Sequence, residues 1–247
     1  VSTANYTSVM ITTGVPDYSV LWSSTRRTEV KNLANNITCS DLAKFPVERS
    51  GAVGANLGGT PVVCGGYYPS YYGSPFGYSD KCYRFINGVW EEFASMKEKR
   101  AYAAAVVYNK TLHVFGGLGG PFYYKTSEII NLDGDVSDGP DVPVLYHVVW
   151  HAMTAISDTV SLLSGGNQDG KYYSTQTWYY NHDTQTFTDG PDLLEGRMRH
   201  GSAIVVDKVT KAKIVVVTGG KWYMDSTEML INGQWETGTN SMQKIFF

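Results

Sequence analysis

Four pairs of adjacent glycines, each closing an apolar run, set the period of this chain. The pairs are Gly65-Gly66 after TPVVC, Gly116-Gly117 after TLHVF, Gly165-Gly166 after VSLLS, and Gly219-Gly220 after IVVVT. Their first members are separated by 51, 49 and 54 residues, close to the spacing of about 40 to 50 residues found in arrays of small sheets. A lone Gly14 after VMITT marks a weaker fifth copy.

The last copy, residues 199–235, is complete enough to interpret by itself. GSAIVV and KIVVVT are β-branched apolar runs joined by a polar hairpin, and TEMLI and QWET follow around the turn Asn232-Gly233. The apolar runs show little alternation, which is typical of a sheet covered on both faces. The period therefore predicts small four-stranded sheets packed against one another.

Two further features recur in most copies. Upstream of the glycines we expect a first strand: RSGAV from Arg49, RAYAAAVV from Arg100, WHAMTAI from Trp150 and RHGSAIVV from Arg199. Downstream lies an outer hairpin whose large aromatic, Trp90, Phe187 or Trp235, is expected to wedge between neighbouring sheets. The third copy has no such residue in its hairpin, SEIINLDGDVSDGP.

With its repeated glycine pair, its first-strand arginine and the separation of Tyr83 from Trp90, the chain resembles the kelch repeat of β-propellers over essentially its full length. The resemblance implies an all-β fold, a single kelch-type β-propeller domain of five four-stranded blades. The blades are expected at about 1–48 together with a C-terminal strand at 241–247, then at 49–96, 97–146, 147–196 and 197–240. The tail SMQKIFF parallels SMKEKRAY, so it is expected to complete the first blade and close the ring by pairing the N- and C-terminal segments.

Composition limits the partners. Charged residues make up 17% of the chain and the net charge is −3, so no basic surface for nucleic acid is expected. The longest apolar runs, AYAAAVVY and IVVVT, fall short of the roughly 18 residues that span a bilayer. We therefore expect neither a nucleic-acid partner nor a membrane span.

The chain starts at Val1-Ser2, as removal of a signal peptide would leave it, although other trimming would give the same start. Three N-glycosylation sequons begin at Asn5, Asn36 and Asn109, each near an expected turn. In a propeller these turns share one face. We therefore expect a secreted glycoprotein.

Cysteine placement allows one disulfide. Cys64 ends the second strand of its unit and Cys82 opens the third, so the two can bridge the base of the intervening loop. Cys39 would then be unpaired or paired elsewhere. In the alternative, all three are buried thiols that pack as small apolar side chains.

Each unit places aromatic residues in the connection after its glycines. The candidate ligand-binding residues are Tyr18, Trp22, Tyr67, Tyr68, Tyr71, Tyr72, Phe76, Tyr78, Phe122, Tyr123, Tyr124, Tyr172, Tyr173, Trp222 and Tyr223. Ring symmetry would bring these loops to one mouth, opposite the sequons, where stiff aromatic rings can bind a ligand at low entropic cost. In the alternative, the rings pack on one another and stiffen their loops.

Candidate catalytic groups are better explained as structural. His151 and His200 occupy matching positions and are expected to be neutral, hydrogen-bonded histidines. Glu29, Glu128 and Glu228 recur after Thr or Ser and are expected to pair with the first-strand arginines Arg49, Arg100 and Arg199, or with backbone amides. No nucleophile elbow, phosphate-binding glycine loop or zinc-protease helix motif is present in the sequence.

The sequence thus predicts a non-enzymatic secreted binding protein with no metal and no resident cofactor. Its ligand is expected to be a small apolar or conjugated molecule, such as a carotenoid-like pigment, or a glycan. The alternative is a rigid scaffold for protein partners, as in many kelch proteins. A weaker alternative is a metalloenzyme similar to galactose oxidase, whose Cys, Tyr and His constellation is not recognisable here.

Overall fold

The computed structural model describes residues 8–12, 26, 28–32, 38–39, 42–68, 77–207, 209–220 and 225–238. Within these ranges all regular structure is β-strand, and it contains no helix that could cross a membrane. The all-β prediction is therefore confirmed. Gly14 and the tail 241–247 lie outside the described residues, as do the sequon residues Asn5 and Asn36.

The strands form five principal antiparallel sheets, numbered here in chain order. Sheet 1 consists of β1 (Ser8–Thr12), β2 (Thr28–Asn32) and β3 (Thr38–Cys39). Sheet 2 consists of β4 (Val53–Leu57) and β5 (Thr60–Cys64), followed, after the short ladder of β6 (Tyr67–Tyr68) and β7 (Gly77–Tyr78), by β8 (Lys81–Ile86) and β9 (Val89–Ser95).

The next three sheets repeat this plan. Sheet 3 consists of β10 (Ala104–Tyr108), β11 (Thr111–Phe115), the ladder β12 (Leu118–Gly119) and β13 (Phe122–Tyr123), then β14 (Ser127–Ile130) and β15 (Val136–Gly139). Sheet 4 begins with β16 (Val148–Val149), which pairs with β19 (Asn167–Gln168), and its main strands are β17 (Ala152–Ala155), β18 (Val160–Ser164), β20 (Thr177–Asn181) and β21 (Thr186–Asp189). Sheet 5 consists of β22 (Gly201–Val206), β23 (Lys213–Thr218), β24 (Thr227–Ile231) and β25 (Gln234–Thr237).

Sheets 2 to 5 pack in order through their first strands, because β4 contacts β10, β10 contacts β17 and β17 contacts β22. Apolar clusters fill the spaces between sheets. One joins Val62 of sheet 2 to Val114 of sheet 3, another joins Phe115 of sheet 3 to Leu163 of sheet 4, and a third joins Leu162 of sheet 4 to residues of sheet 5. The sheets between these clusters are covered on both faces, which explains the nearly continuous apolar runs in the sequence.

The outer aromatics wedge between sheets as predicted. Trp90 donates from Nε1 to Thr28 Oγ1 of sheet 1 over 3.1 Å. Trp235 packs with Leu162 of sheet 4, and the ring of Phe187 lies 5.8 Å from that of Phe115 in sheet 3. These side chains fasten sheets 2, 4 and 5 to the preceding sheet.

The glycine pairs allow a close approach between sheets. The second glycine donates its N–H to a carbonyl of the next sheet, from Gly66 to Arg100 O at 2.7 Å and from Gly166 to Arg197 O at 2.7 Å. Gly65 has a φ of 69°, and a Cβ at this position would collide with the same Arg100 carbonyl. Glycine is therefore required by both conformation and space.

The structure corrects the expected register of the first strands in sheets 4 and 5. The side chains of Arg49, Arg100 and Arg197 all donate from Nη1 to the carbonyl of the first glycine of a pair, at 2.7, 2.7 and 2.8 Å. Arg197, not Arg199, is therefore the equivalent of Arg100. In sheet 4 the equivalent residue, whose carbonyl accepts from Gly117, is Val148 and not Trp150.

Sheet 4 compensates for its missing arginine. Gln168 donates from Nε2 to Gly165 O over 2.6 Å, which replaces the guanidinium bond made in the other sheets. In sheet 4 a side chain of the short strand β19 therefore donates to the first glycine of the pair, as an arginine before the first long strand does in sheets 2, 3 and 5.

The recurring glutamates are structural, as expected. Glu128 accepts from Arg100 Nε at 2.9 Å and from the amides of Lys97 and Glu98. Glu228 accepts from Arg197 Nε at 2.9 Å and from two amides of the preceding loop. The expected pairing of Glu228 with Arg199 is wrong, because the first-strand register differs by two residues. The side chain of Glu29 lies outside the described residues.

Cys64 and Cys82 form a disulfide between directly opposed positions of β5 and β8. Both residues are buried, and the bond closes the base of the loop that carries β6 and β7. Asn109 lies exposed in the turn between β10 and β11, at the opposite end of β11 from its glycine pair.

Candidate ligand-binding surface

A repeated backbone feature aligns one residue from each of sheets 2 to 5. Gly51, Tyr102, Trp150 and Arg199 have φ values of 62°, 55°, 58° and 58°. The N–H of Tyr102 donates to Gly51 O at 2.7 Å, that of Trp150 to Tyr102 O at 3.0 Å, and that of Arg199 to Trp150 O at 2.8 Å. A left-handed conformation is costly for residues other than glycine. The row of hydrogen bonds stabilises the left-handed backbone at Tyr102, Trp150 and Arg199.

The side chains of the row stack on one another. The ring of Tyr102 lies over Gly51, where a Cβ would come within 2.6 Å of it, and its centroid is 5.7 Å from that of Trp150. The Arg199 guanidinium lies 4.7 Å above the Trp150 ring, at cation–π distance. Arg199 is exposed and makes no ion pair with a carboxylate of the described residues.

Two tyrosines from the loop after Gly65-Gly66 lie beside this stack, since the backbone of Tyr67 pairs with Ser50, the neighbour of Gly51. The rings of Tyr67 and Tyr78 pack edge to face at 5.4 Å. Burial raises the pKa of both phenols, and the nearby phenol of Tyr102 raises each pKa further. Tyr123 is in β13, just after Gly120, and a Cβ at Gly120 would lie 4.0 Å from the Tyr78 ring, so β13 is on the same side. We call Tyr67, Tyr78, Tyr102, Tyr123, Trp150 and Arg199 the aromatic patch.

The other described candidates have different surroundings. Tyr68 packs its hydroxyl end against Gly77 within its own ladder, and Tyr124 lies 4.9 Å from the Arg100 guanidinium. Burial, with a hydrogen bond to Glu98, raises the pKa of Tyr124 to about 12. Phe122 and Tyr172 are exposed, and Tyr173 is half-buried with a φ of 62°.

Seven candidates fall outside the described residues: Tyr18, Trp22, Tyr71, Tyr72, Phe76, Trp222 and Tyr223. The structure therefore brings together three of the candidates taken from the sequence, Tyr67, Tyr78 and Tyr123, and adds Tyr102, Trp150 and Arg199 to them.

The residues that sequence reasoning missed share one position. Each lies two residues after the carbonyl that accepts from the glycine pair of the preceding sheet. That carbonyl belongs to Arg100, Val148 or Arg197. In the third unit the sequence marks this position, because Tyr102 lies two residues after Arg100. In the last unit either Arg197 or Arg199 could be aligned with Arg100, so the position is ambiguous.

His151 and His200 follow the row directly and occupy equivalent buried positions, as expected. His200 Nε2 lies 2.9 Å from Ser164 Oγ, whereas neither ring nitrogen of His151 has a partner in the structure. The expected hydrogen bond is confirmed for His200, and for His151 it stays a prediction. Burial lowers the pKa of each to about 3, so both are neutral at physiological pH. Among the described residues, no group of three or more His, Cys, Asp or Glu is arranged to hold a metal ion.

An apolar turn lies beside the patch. The Asp169 carboxylate accepts from the amides of Leu145, Tyr146 and His147 at 2.9, 2.6 and 3.2 Å, and these bonds lower its pKa against the effect of burial. The turn is thus held while Leu145 and Tyr146 remain 74% and 71% exposed. The Tyr123 ring lies 4.9 Å from that of His147, so the turn borders the patch.

Comparison with known proteins identifies the fold alone. No protein-family model matches the sequence, and no curated protein does so. The solved structure of YjhT is similar, with a TM-score of 0.75, over 93% of this chain and 80% of YjhT. The two sequences are 13% identical.

Proposed function

We propose that this chain is a five-bladed kelch-type propeller that acts as a secreted binding protein and not as an enzyme. Four sheets of the same plan packed in order through their first strands support the ring. Sheet 1 has three strands, β1 to β3, and a strand from 241–247 would supply its fourth. The likeness to YjhT supports an array of small sheets.

The aromatic patch is the proposed ligand-binding site. The single observation that carries the proposal is the stack of Tyr102, Trp150 and Arg199, with the paired rings of Tyr67 and Tyr78 beside it. In a propeller this row would surround one mouth of the central channel, where all blades meet. Held in place by left-handed backbone and inter-sheet hydrogen bonds, these side chains offer a preorganised surface.

Among ligands, a glycan suits the patch best. Sugar rings have apolar C–H faces that stack on Tyr and Trp, and hydroxyl groups that need polar partners. The phenols of Tyr78 and Tyr102 and the donors of Arg199 supply such partners at the patch. A carotenoid-like pigment would use the same rings but leave these groups without partners.

A binding screen tests this proposal. Wild-type protein is applied to an array of immobilised glycans and separately mixed with a dispersed carotenoid. Wild-type protein and the Trp150→Ala and Tyr146→Ala variants are compared. We expect glycan binding that Trp150→Ala abolishes and Tyr146→Ala leaves unchanged, because Tyr146 lies in the neighbouring turn. Pigment uptake without glycan binding would favour the conjugated ligand, and equal binding by all three proteins would refute the patch as the site.

A second function, a scaffold for a protein partner, is favoured by the exposed turn at Leu145 and Tyr146. Large apolar side chains held out by a dedicated carboxylate are typical of a contact surface. In that case a co-purified protein partner should be lost from Tyr146→Ala and retained by Trp150→Ala, the reverse of the result expected for a glycan.

A further inference from the structure

A second group of rings lies between sheets 3 and 4, toward the end away from the glycine pairs. His113 is in β11, Tyr180 is in β20 and His182 follows β20. Their ring centroids are 4.9 Å apart for the two histidines, 4.7 Å for Tyr180 and His182, and 6.0 Å for His113 and Tyr180. All three residues are at most 5% exposed.

Each of these rings carries a buried polar atom without a partner in the structure. The atoms are His113 Nδ1, His182 Nδ1 and Tyr180 Oη. A buried polar group with no partner destabilises the folded state by about 1–3 kcal/mol, so three such groups in one cluster are unusual in a native protein. Native structures normally satisfy such groups with water or an ion.

The hydrogen bonds of His113 fix which of its nitrogens is free. Thr111 Oγ1 donates its only proton to Tyr108 O at 2.6 Å. Its 2.9 Å bond with His113 Nε2 must therefore be donated by the imidazole. Nδ1 then carries a bare lone pair, and burial lowers the pKa of His113 to about 4, so the ring is neutral at physiological pH. A neutral imidazole with one nitrogen anchored and the other free is the usual state of a metal-binding histidine.

The partner histidine is also anchored through its Nε2. His182 Nε2 is bonded to Ser161 Oγ at 2.8 Å, and Nδ1 is free. Burial lowers its pKa to about 4. Each histidine is thus anchored by a hydroxyl of its own sheet. Two imidazoles bound to one ion by bonds of about 2.0–2.1 Å have ring centres roughly 5 Å apart, so the observed separation of 4.9 Å leaves room for a shared ion.

We propose that His113 Nδ1, His182 Nδ1 and Tyr180 Oη bind a zinc ion between sheets 3 and 4. Zinc takes nitrogen and oxygen ligands in a tetrahedral arrangement, and a water molecule would be the fourth. The phenol oxygen is the third ligand, where most zinc sites use a carboxylate, a thiolate or another histidine. Burial raises the pKa of Tyr180 to about 12, so zinc would bind the phenolate and displace the phenol proton to solvent. Tyr108 covers the group, with its ring stacked 4.5 Å from His182 and its hydroxyl hydrogen-bonded to Asp183. The ion would join two sheets and serve stability, apart from the aromatic patch.

Calorimetric titration of zinc into the untagged, chelator-treated full chain at pH 7.5 tests this proposal. Wild type should bind one equivalent with a Kd in the micromolar range or tighter, and zinc should raise its melting temperature. Tyr180→Phe, which keeps the ring and removes only the oxygen, should bind at least tenfold more weakly, and so should His113→Gln. Tyr179→Phe, the matched control on the neighbouring residue, should bind as wild type does.

Two results would overturn the proposal. Absence of zinc binding by wild type would leave ordered water as the partner of these atoms. Wild-type affinity in both Tyr180→Phe and His113→Gln, with melting curves that show both variants folded, would place any bound zinc elsewhere.

Discussion

Arg197 and Glu228 form a buried ion pair, with Nε and Oε1 2.9 Å apart and side chains 0% and 3% exposed. The pair Arg100 and Glu128 has the same 2.9 Å geometry two sheets earlier. In both, the guanidinium also donates to the carbonyl of a glycine pair, so one arginine fastens the start of a sheet to its own second strand.

Removing the buried guanidinium should destabilise the protein strongly. Arg197→Met leaves Glu228 charged and buried without its main partner, and such losses cost about 3–5 kcal/mol. Arg199→Met, two residues away on the exposed stack, should change the free energy of unfolding by no more than about 0.5 kcal/mol. Urea denaturation of the two variants measures both values. Equal destabilisation would contradict the register described for sheet 5.

The glycine pairs should differ from turn glycines in their tolerance of a side chain. Gly165→Ala puts a Cβ against the Arg197 carbonyl at a φ of 60°, whereas Gly88→Ala, at a φ of 82°, meets nothing within 4 Å. Both variants carry backbone strain, and the first adds a collision with backbone. We expect Gly165→Ala to cost at least about 2 kcal/mol more. Thermal unfolding of both proteins is the measurement, and similar melting temperatures would argue against the close approach.

Acid should weaken the fold through its buried histidines. His151 and His200 are neutral in the folded protein down to about pH 3 but protonate near pH 6.5 when unfolded. The unfolded state therefore binds more protons between these values, and stability falls with falling pH by about 1.4 kcal/mol per pH unit for each histidine. The loss begins below about pH 6.5 and ends near pH 3.

The matched variant for this prediction is His151→Ala together with His200→Ala, because sheets 2 and 3 carry Ala52 and Ala103 at the equivalent positions. The free energy of unfolding measured from pH 7 to pH 4.5 should fall less steeply for this double variant. An unchanged slope would mean that other groups govern the acid response.

The disulfide should contribute measurably. Cys64→Ala with Cys82→Ala removes a link across 18 residues, and closing a loop of this size stabilises a protein by about 3 kcal/mol. Guanidinium denaturation of the double variant, compared with wild type, gives the value. A difference under about 1 kcal/mol would show that the β5–β8 pairing holds the loop without it.

Much of the fold was predictable because glycine pairs and β-branched runs depend on local chemistry. TPVVC, TLHVF and VSLLS coincide with β5, β11 and β18. The first strands were placed less well, because loops of different length separate them and two arginines compete for one position. Which of Arg197 and Arg199 is buried depends on contacts with Gly219 and Glu228, which no local pattern records.

The site was predictable only in part for a similar reason. Tyr67, Tyr78 and Tyr123 could be predicted because they lie in the aromatic-rich loops that follow the glycine pairs. Tyr102 and Trp150 lie before the first strands, where an aromatic residue resembles a core position. Their left-handed backbone and their stacking depend on hydrogen bonds between sheets, so they become visible only in three dimensions.

The role of the aromatic patch is tested by calorimetric titration of a glycan identified by the array into wild type, Trp150→Ala and Tyr146→Ala. We expect saturable binding by wild type, at least a tenfold loss for Trp150→Ala, and no change for Tyr146→Ala. Equal affinity in wild type and Trp150→Ala would contradict that role.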